Sequence, residues 1–410
     1  MNILFLTSTF PRFKNDNQAP FVFEQACAWK KSHPLDNIYI LAPHDHLSSK
    51  NETSEDINIR RFSYWWPTQH QKLAYPAILP NLQKNPFLFF QVPFFLLMEL
   101  ISACQMISTH HIDLVYAHWV MPQGLTAFFI KKLKKTPYVL QNHSSDVRIF
   151  KKIPWFGALL VKKTVKNANK LFCVNKNLEN EIYHFFPVSN HYALKNKVSV
   201  LPMGVNLPEL AQSKNQHNDA YQYDFGFIGR LTKKKGIDKL ILACNHLKNQ
   251  KNQFTAAIAG DGEERSSLEK IPNGPHVKFL GHLSGEPKIE FFRKTRIMVF
   301  PSQEIKGDIE GLPVAVLEAL NMGKIVIATK ATNITLLPEW EQIKEIVLML
   351  DKPESVDEFC GLLEKALRLS KQSAWLGETS LRVKNIIRRY RWDNLIQEYI
   401  AQINNASKTL

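Results

Sequence analysis

A chain of 410 residues is longer than one hydrophobic core usually grows, which predicts two domains of roughly 200 residues each. Apolar residues make up 45% and no segment is of low complexity, so disordered and fibrous classes are excluded. The net charge of +15 fits an anionic partner, whether nucleic acid, an anionic membrane surface or a phosphorylated small molecule, and does not choose among them.

The opening residues MNILFLTSTF carry no basic leader and no small-residue cleavage site, and their apolar run is too short for a signal peptide. They read as a first strand, Ile3 to Thr7. Further β-rich runs at Ile38 to Ala42, Leu114 to Ala117, Tyr138 to Gln141 and Lys170 to Val174 alternate with helical patterns, as in βαβ units around a parallel sheet. Between them lies PFLFFQVPFFLLM, Pro86 to Met98. Its thirteen residues before Glu99, with Gln91 and Pro93 inside, are too few to cross a bilayer. It reads either as a core helix or as a surface that meets lipid, with FSYWWP (Phe62 to Pro67) adding aromatics nearby. Basic clusters at Lys131 to Lys135, Lys151 and Lys152, and Lys162 to Lys166 read singly as solvated helix faces.

The pattern restarts after Asn206. Leu207 to Tyr223 is polar and aperiodic and reads as a linker. New strands fit Asp224 to Ile228, Thr255 to Ala259, Val277 to Leu280, Ile297 to Phe300, Ile325 to Ala328 and Ile346 to Leu350. The expected division is a first Rossmann-like domain over 1–205, a second over 206–385 and a C-terminal helix over 386–410, with WDNLIQEYIAQI packing back on the first domain. Two doubly wound domains in series would place their strand ends on facing sides of a cleft. The five cysteines are widely spaced, with no metal-ligand spacing, and read as buried free thiols of a reducing compartment.

The most informative segment is GDIEGLPVAVLEAL, Gly307 to Leu320. Gly307, Gly311 and Pro313 form a tight turn, and a helix follows with Pro313 suited to its first turn. Glu310 then sits in the loop, able to accept hydrogen bonds from sugar hydroxyls. Glu318 sits on the second helical turn, able to grip a ribose diol. The helix N-terminus offers amide groups and a positive dipole end to a diphosphate.

This segment resembles the donor-binding signature of the family-4 glycosyltransferases, enzymes of the GT-B architecture with two Rossmann-like domains. FIGRLTKKKGIDKLILA (Phe227 to Ala243), AGDGEER (Ala259 to Arg265), VKFLGHL (Val277 to Leu283) and VFPS (Val299 to Ser302) are similar to the family's segments in order. So are HWVMPQG (His118 to Gly124), NHSSDV (Asn142 to Val147) and LPMGVN (Leu201 to Asn206). The resemblance implies a retaining, metal-independent hexosyltransferase without a cofactor, whose donor is a UDP- or GDP-linked sugar. It implies donor contacts from Gly229, Arg230, Lys235, Gly260, Glu310, Gly311, Leu312, Pro313 and Glu318. In that set Arg230 and Lys235 neutralise the departing diphosphate, as a leaving phosphate requires. His143 would lie near the transferred sugar without acting as a covalent nucleophile, and His118 and Asp146 would stand on the acceptor side.

Three departures stand out. No glycine occurs in Ser8 to Phe21, where Ala19-Pro20 occurs instead; Ser144 follows the histidine; and Thr332-Asn333 replaces paired glycines. A dinucleotide-dependent oxidoreductase is disfavoured because no G-x-G-x-x-G follows either first strand. The remaining alternatives are a GT-B sugar-nucleotide epimerase or hydrolase and a basic nucleic-acid-binding protein, the latter lacking a recognisable module. The expected acceptor is a saccharide or a lipid-linked saccharide of cell-surface polysaccharide assembly. The expected location is cytoplasmic, peripheral on the inner face of the membrane, with no nucleic acid bound.

Overall fold

The computed structural model describes residues 1–14, 16, 18–143, 147, 150, 156–206, 221–249, 253–272, 274, 276–305 and 312–408. Asp146, Glu310, Gly311, Ser144, Lys151, Lys152 and nearly all of the expected linker lie outside them. Two compact units are formed, Met1–Gly204 with Trp392–Leu410, and Val205–Arg391.

The first unit is built on strands β1 (Asn2–Leu6), β2 (Asn37–Pro43), β3 (Asn51–Ser54), β4 (Ile57–Phe62), β5 (Leu114–His118), β6 (Tyr138–Asn142), β7 (Lys170–Cys173) and β8 (Val198–Val200). Their order is β3-β4-β2-β1-β5-β6-β7-β8, and every pairing except β3 with β4 is parallel. Ile3 to Leu6 are fully buried, because helices cover both sheet faces. β3, β4 and β8 were not legible in the sequence. β3 is a polar edge strand, and its turn into β4 holds Glu55 and Asp56 at φ 51° and 57°, a backbone that Asn-Gly would ordinarily announce.

Right-handed crossovers sort the helices. α1 (Pro20–Ser32) steps from β1 to β2. α2 (Gln91–His110), α3 (Gln123–Lys134) and α4 (Phe156–Asn167) step the opposite way, so they share the other sheet face, α2 against α3 and α3 against α4. The C-terminal helix Trp392–Lys408 packs on α1. Gly204 makes room for it, since a Cβ there would lie 2.4 Å from the Trp392 indole. A buried polar chain ties these layers together. Gln25 donates to the Tyr116 hydroxyl at 3.0 Å, Tyr116 donates to Gln141 Oε1 at 2.8 Å, and Gln141 Nε2 donates to the Tyr399 hydroxyl at 3.4 Å. Tyr399 in turn donates to the carbonyls of Leu201 and Pro202 at 3.0 and 3.1 Å.

The expectation that the apolar run ends at Glu99 is corrected. A 3-10 turn over Pro86–Phe90 leads into α2, giving 25 helical residues through His110, long and apolar enough to cross a membrane by length and composition. Glu99 does not interrupt the helix because it points into the unit, where Thr126 Oγ1 and Gln123 Nε2 donate to its carboxylate at 2.6 and 3.1 Å. Burial pushes its pKa from 4.5 up to about 7. Between those values the folded chain binds more protons than the unfolded one, so this group's contribution to stability is intact below pH 4.5 and is lost as pH rises to about 7. Glu99→Gln should therefore raise the melting temperature at pH 8 by several degrees, about 1–2 kcal/mol, and leave it nearly unchanged at pH 4. Thermal melts at both pH values would detect this, and an equal change at both would exclude a buried ionisation as its source.

The second unit contains β9 (Tyr223–Ile228), β10 (Ala256–Ala259), β11 (Val277–Gly281), β12 (Thr295–Phe300), β13 (Ile325–Ala328) and β14 (Val347–Met349), all parallel in the order β11-β10-β9-β12-β13-β14. Its main helices are α5 (Ile237–Asn249), α6 (Gly285–Lys294), α7 (Val314–Asn321), α8 (Val356–Ser370) and α9 (Ser373–Ile387), with α5 on α8 and α7 on α9. The strand order reverses between β9 and β12, and a doubly wound sheet binds ligands at such a switch point. The unit runs to Arg391 rather than ending at residue 385. Ile387 and Tyr390 are part of its core, and Tyr390 donates to Glu339 while its carbonyl accepts from Val205 N at 2.9 Å. All five cysteines are free, and Cys173, Cys244 and Cys360 are buried.

Candidate functional site

In the first unit the network around Tyr116 and Gln141 fixes the C-terminal ends of β5 and β6, and two histidines stand there. His118 closes β5 and is fully buried, and His143 follows β6 directly. Their rings are nearly coplanar, 11° apart, and His118 Nδ1 meets His143 Nε2 at 2.9 Å, so they share one proton. Phe21 from α1 and Trp119 enclose His143 with ring centroids at 4.7 and 5.0 Å. Burial pushes the His143 pKa from 6.5 down to about 3; burial and then His143 itself hold His118 well below its usual value. Both imidazoles are therefore neutral at pH 7, and His143 is equipped to hydrogen-bond a ligand rather than to carry charge. In an activity profile between pH 5 and 8 no imidazole ionisation should appear. An inflection near 6.5 that disappears in His143→Asn would contradict this environment.

Two features at these strand ends escaped sequence reading. Trp119 holds φ 73°, a left-handed backbone unfavourable for a bulky residue by about 1–3 kcal/mol, the kind of strain that clusters at functional sites. Both polar atoms of the Asn142 side chain and His118 Nε2 are buried without a hydrogen-bond partner, which is costly unless a ligand supplies one.

In the second unit several of the expected donor residues follow the strands at and beside the switch point. Gly229 directly follows β9 and its N–H donates to Ala259 O at 3.1 Å; Arg230 comes next; Leu231 N donates to Asp261 O at 2.9 Å. Gly260, after β10, has φ 144°, and a Cβ there would lie 1.9 Å from Gly229 O, so only glycine lets the two turns meet. Lys235 ends a 3-10 turn over Lys233–Lys235. Gln303, just beyond β12, clamps that turn, its N–H donating to Lys234 O and its Nε2 to Lys233 O, both at 2.8 Å. Gln303 was not singled out in the sequence. Arg230 is half-exposed, in a loose ion pair with Glu263 at 3.6 Å.

Leu312 packs against the core of this unit, and Pro313 is the N-cap of α7 at φ −59°, without a side-chain cap on the first amides. Glu318, on α7, is only 2% exposed. Its Oε1 accepts from Lys288 Nζ of α6, a partner the sequence did not reveal, whereas its Oε2 is buried with none. That bare oxygen can accept a ligand hydroxyl. Two departures noted in the sequence acquire a physical reading. Ala19 adopts φ 44° at the start of α1, and Asn333 adopts φ 57° after a short 3-10 turn. Asn is among the few residues other than glycine that visit that backbone, so Asn333 can hold a left-handed turn at the position of the expected paired glycines. Among the described residues no three His, Cys, Asp or Glu side chains gather as a metal site.

With this geometry in view, residues 50–209 match the family described as Glycosyltransferase Family 4, and residues 210–381 match glycosyl transferases group 1. An uncharacterized glycosyltransferase of Methanocaldococcus jannaschii is 28% identical over 285 residues, covering 66% of this chain and 73% of that protein. The amylovoran biosynthesis glycosyltransferase of Erwinia amylovora is 32% identical over 148 residues, covering 35% of this chain and 36% of its own. The chain spans 62–74% of the length of four relatives that each align over 60% or more of it. Among solved structures, sucrose-phosphate synthase from Thermosynechococcus elongatus superposes with a TM-score of 0.71 at 14% identity, covering all of both chains, a likeness of fold alone. The two parallel-sheet units are those of the GT-B fold.

Proposed function

The chain belongs to the group 1, family 4 glycosyltransferases, and from that premise we propose that it moves a hexose from a nucleotide-sugar donor, with retention and without a metal ion, onto a saccharide or lipid-linked saccharide acceptor. The observation that carries the reading is Glu318: a buried carboxylate with one oxygen paired to Lys288 and the other bare, on the helix that follows the switch-point strand. In this reading it accepts both hydroxyls of the donor ribose. Arg230 and Lys235 lie at the end of β9 and neutralise the diphosphate as the glycosidic bond breaks, the work a metal ion does elsewhere. Glu310 accepts from the hydroxyls of the sugar. His143, neutral, donates or accepts a hydrogen bond at the transferred sugar, with His118 fixing its ring.

Surface-polysaccharide assembly at the inner face of the cytoplasmic membrane is the proposed setting. The amylovoran biosynthesis relative supports it. The test is nucleotide release from UDP-, GDP- and ADP-sugars, with and without EDTA. One UDP- or GDP-sugar should be consumed, EDTA should not matter, and the product should keep the donor's anomeric configuration. Loss of activity with EDTA, or an inverted product, would refute those parts of the proposal. Release of free sugar unaffected by every acceptor offered would favour a hydrolase.

A further inference from the structure

One face of the first unit is unlike the rest of the described surface. α2, α3 and α4 lie side by side on the same side of the sheet. On α2 and its preceding turn, Phe87, Phe90, Phe94, Leu97 and Ile101 are exposed, Phe87 to 79% and Phe90 to 70%. The spacing of Phe90, Phe94, Leu97 and Ile101 places them along one stripe, opposite Phe95, Ser102, Ala103 and Met106, which are buried in the unit. α2 therefore lies on the unit with its apolar stripe outward. Trp65 packs edge-on against Phe94 at 5.1 Å, and Trp66 beside it is 85% exposed. Phe129 and Leu133 continue the apolar surface on α3, and Phe156 and Leu159 on α4.

The charge of this face is as one-sided as its apolarity. The three helices contain a single acidic residue, Glu99, and it is buried. Lys132, Lys134 and Lys135 are exposed at the end of α3, and Lys163 and Lys166 on α4. Aromatic and aliphatic side chains interleaved with lysines, without acids, match a surface that is apolar inside and anionic at its rim. A second copy of the chain would meet the same positive charges and be repelled. Nucleic acid would pair with the lysines and leave the phenylalanines in water.

We propose that the outward face of α2, α3 and α4, extended by Trp66, docks on an anionic phospholipid bilayer, with the phenylalanines inserted at the headgroup level and the lysines at the phosphates. The inference rests on the reading above, in which the acceptor is carried on a lipid. Docking would hold the acceptor unit at the surface where such an acceptor resides.

Co-sedimentation of the full chain with vesicles of phosphatidylcholine, alone or with one third phosphatidylglycerol, tests it. The protein should pellet with the anionic vesicles, less so in high salt, and should ignore the neutral ones. Phe90→Ser/Phe94→Ser/Leu97→Ser and Lys132→Glu/Lys134→Glu/Lys163→Glu should each weaken binding by at least about ten-fold, while Leu381→Ser on the second unit should not. Melting temperatures confirm that the variants fold, and nucleotide release without lipid should be unchanged in all of them. Failure of the unaltered protein to bind anionic vesicles, or full binding by both triple variants, overturns the proposal. So does a concentration-dependent dimer that only the phenylalanine variant abolishes. Nucleotide release without vesicle binding defeats the docking face alone, whereas vesicle binding without release of nucleotide from any sugar donor defeats the transferase reading alone.

Discussion

Lys235→Ala should lower kcat for nucleotide release by about 10²–10³-fold while the donor KM changes much less. The diphosphate already carries charge in the bound donor, but the bridging oxygen gains a further share only as the bond to the sugar breaks. A cation aimed at that oxygen is therefore worth more in the transition state than in the ground state. Arg230→Ala should behave similarly, and the double variant should fall short of the product of the two losses, because both are proposed to act on one leaving group. Arg230→Ala should cost little stability. Arg230 is half-exposed and its ion pair with Glu263 spans 3.6 Å, an interaction worth little. Steady-state kinetics on the preferred donor, with melting curves beside them, would check this. A rise in KM at constant kcat would instead make these residues ground-state binders.

Glu318 and Lys288 should show the second large effect, split between stability and donor affinity. Lys288→Met leaves a carboxylate buried without its cation, which should destabilise the second unit toward the lower end of roughly 3–5 kcal/mol, the lysine side chain being about a quarter exposed. Glu318→Gln removes the carboxylate proposed to accept the ribose hydroxyls and should raise the donor KM by about 10–100-fold. In the double variant most of the stability should return, since no buried charge remains unpaired, but the donor KM should stay high. Denaturant unfolding of all four proteins, with KM for each, closes the cycle. Recovery of KM together with stability would mean that Glu318 serves only the fold.

Much of this was written locally in the chain. Ile3 to Leu6 and Ile325 to Ala328 announce buried parallel strands because both faces of such a strand are covered, so every position is apolar. Pro313 and the apolar run behind it announce α7 for an equally local reason, the fixed φ of proline and the helical period. β3 and β8 were invisible because an edge or short strand is stabilised by its neighbour more than by its own side chains. Glu99 looked like the end of an apolar helix because composition does not tell which way a carboxylate points.

The sequence by itself determined the family, the two-domain organisation and the residue types offered at the strand ends, since each of these is carried by short segments whose meaning does not depend on what packs against them. Only the tertiary structure decided that Lys288 pairs with Glu318, that Gln303 clamps the lysine turn, and that His118 and His143 share a proton in an aromatic enclosure. It alone showed that the apolar stripe of α2 faces outward. Each of these joins residues from separate elements, and the packing of those elements sets which side chains meet, which charges are desolvated and which apolar surface is left uncovered.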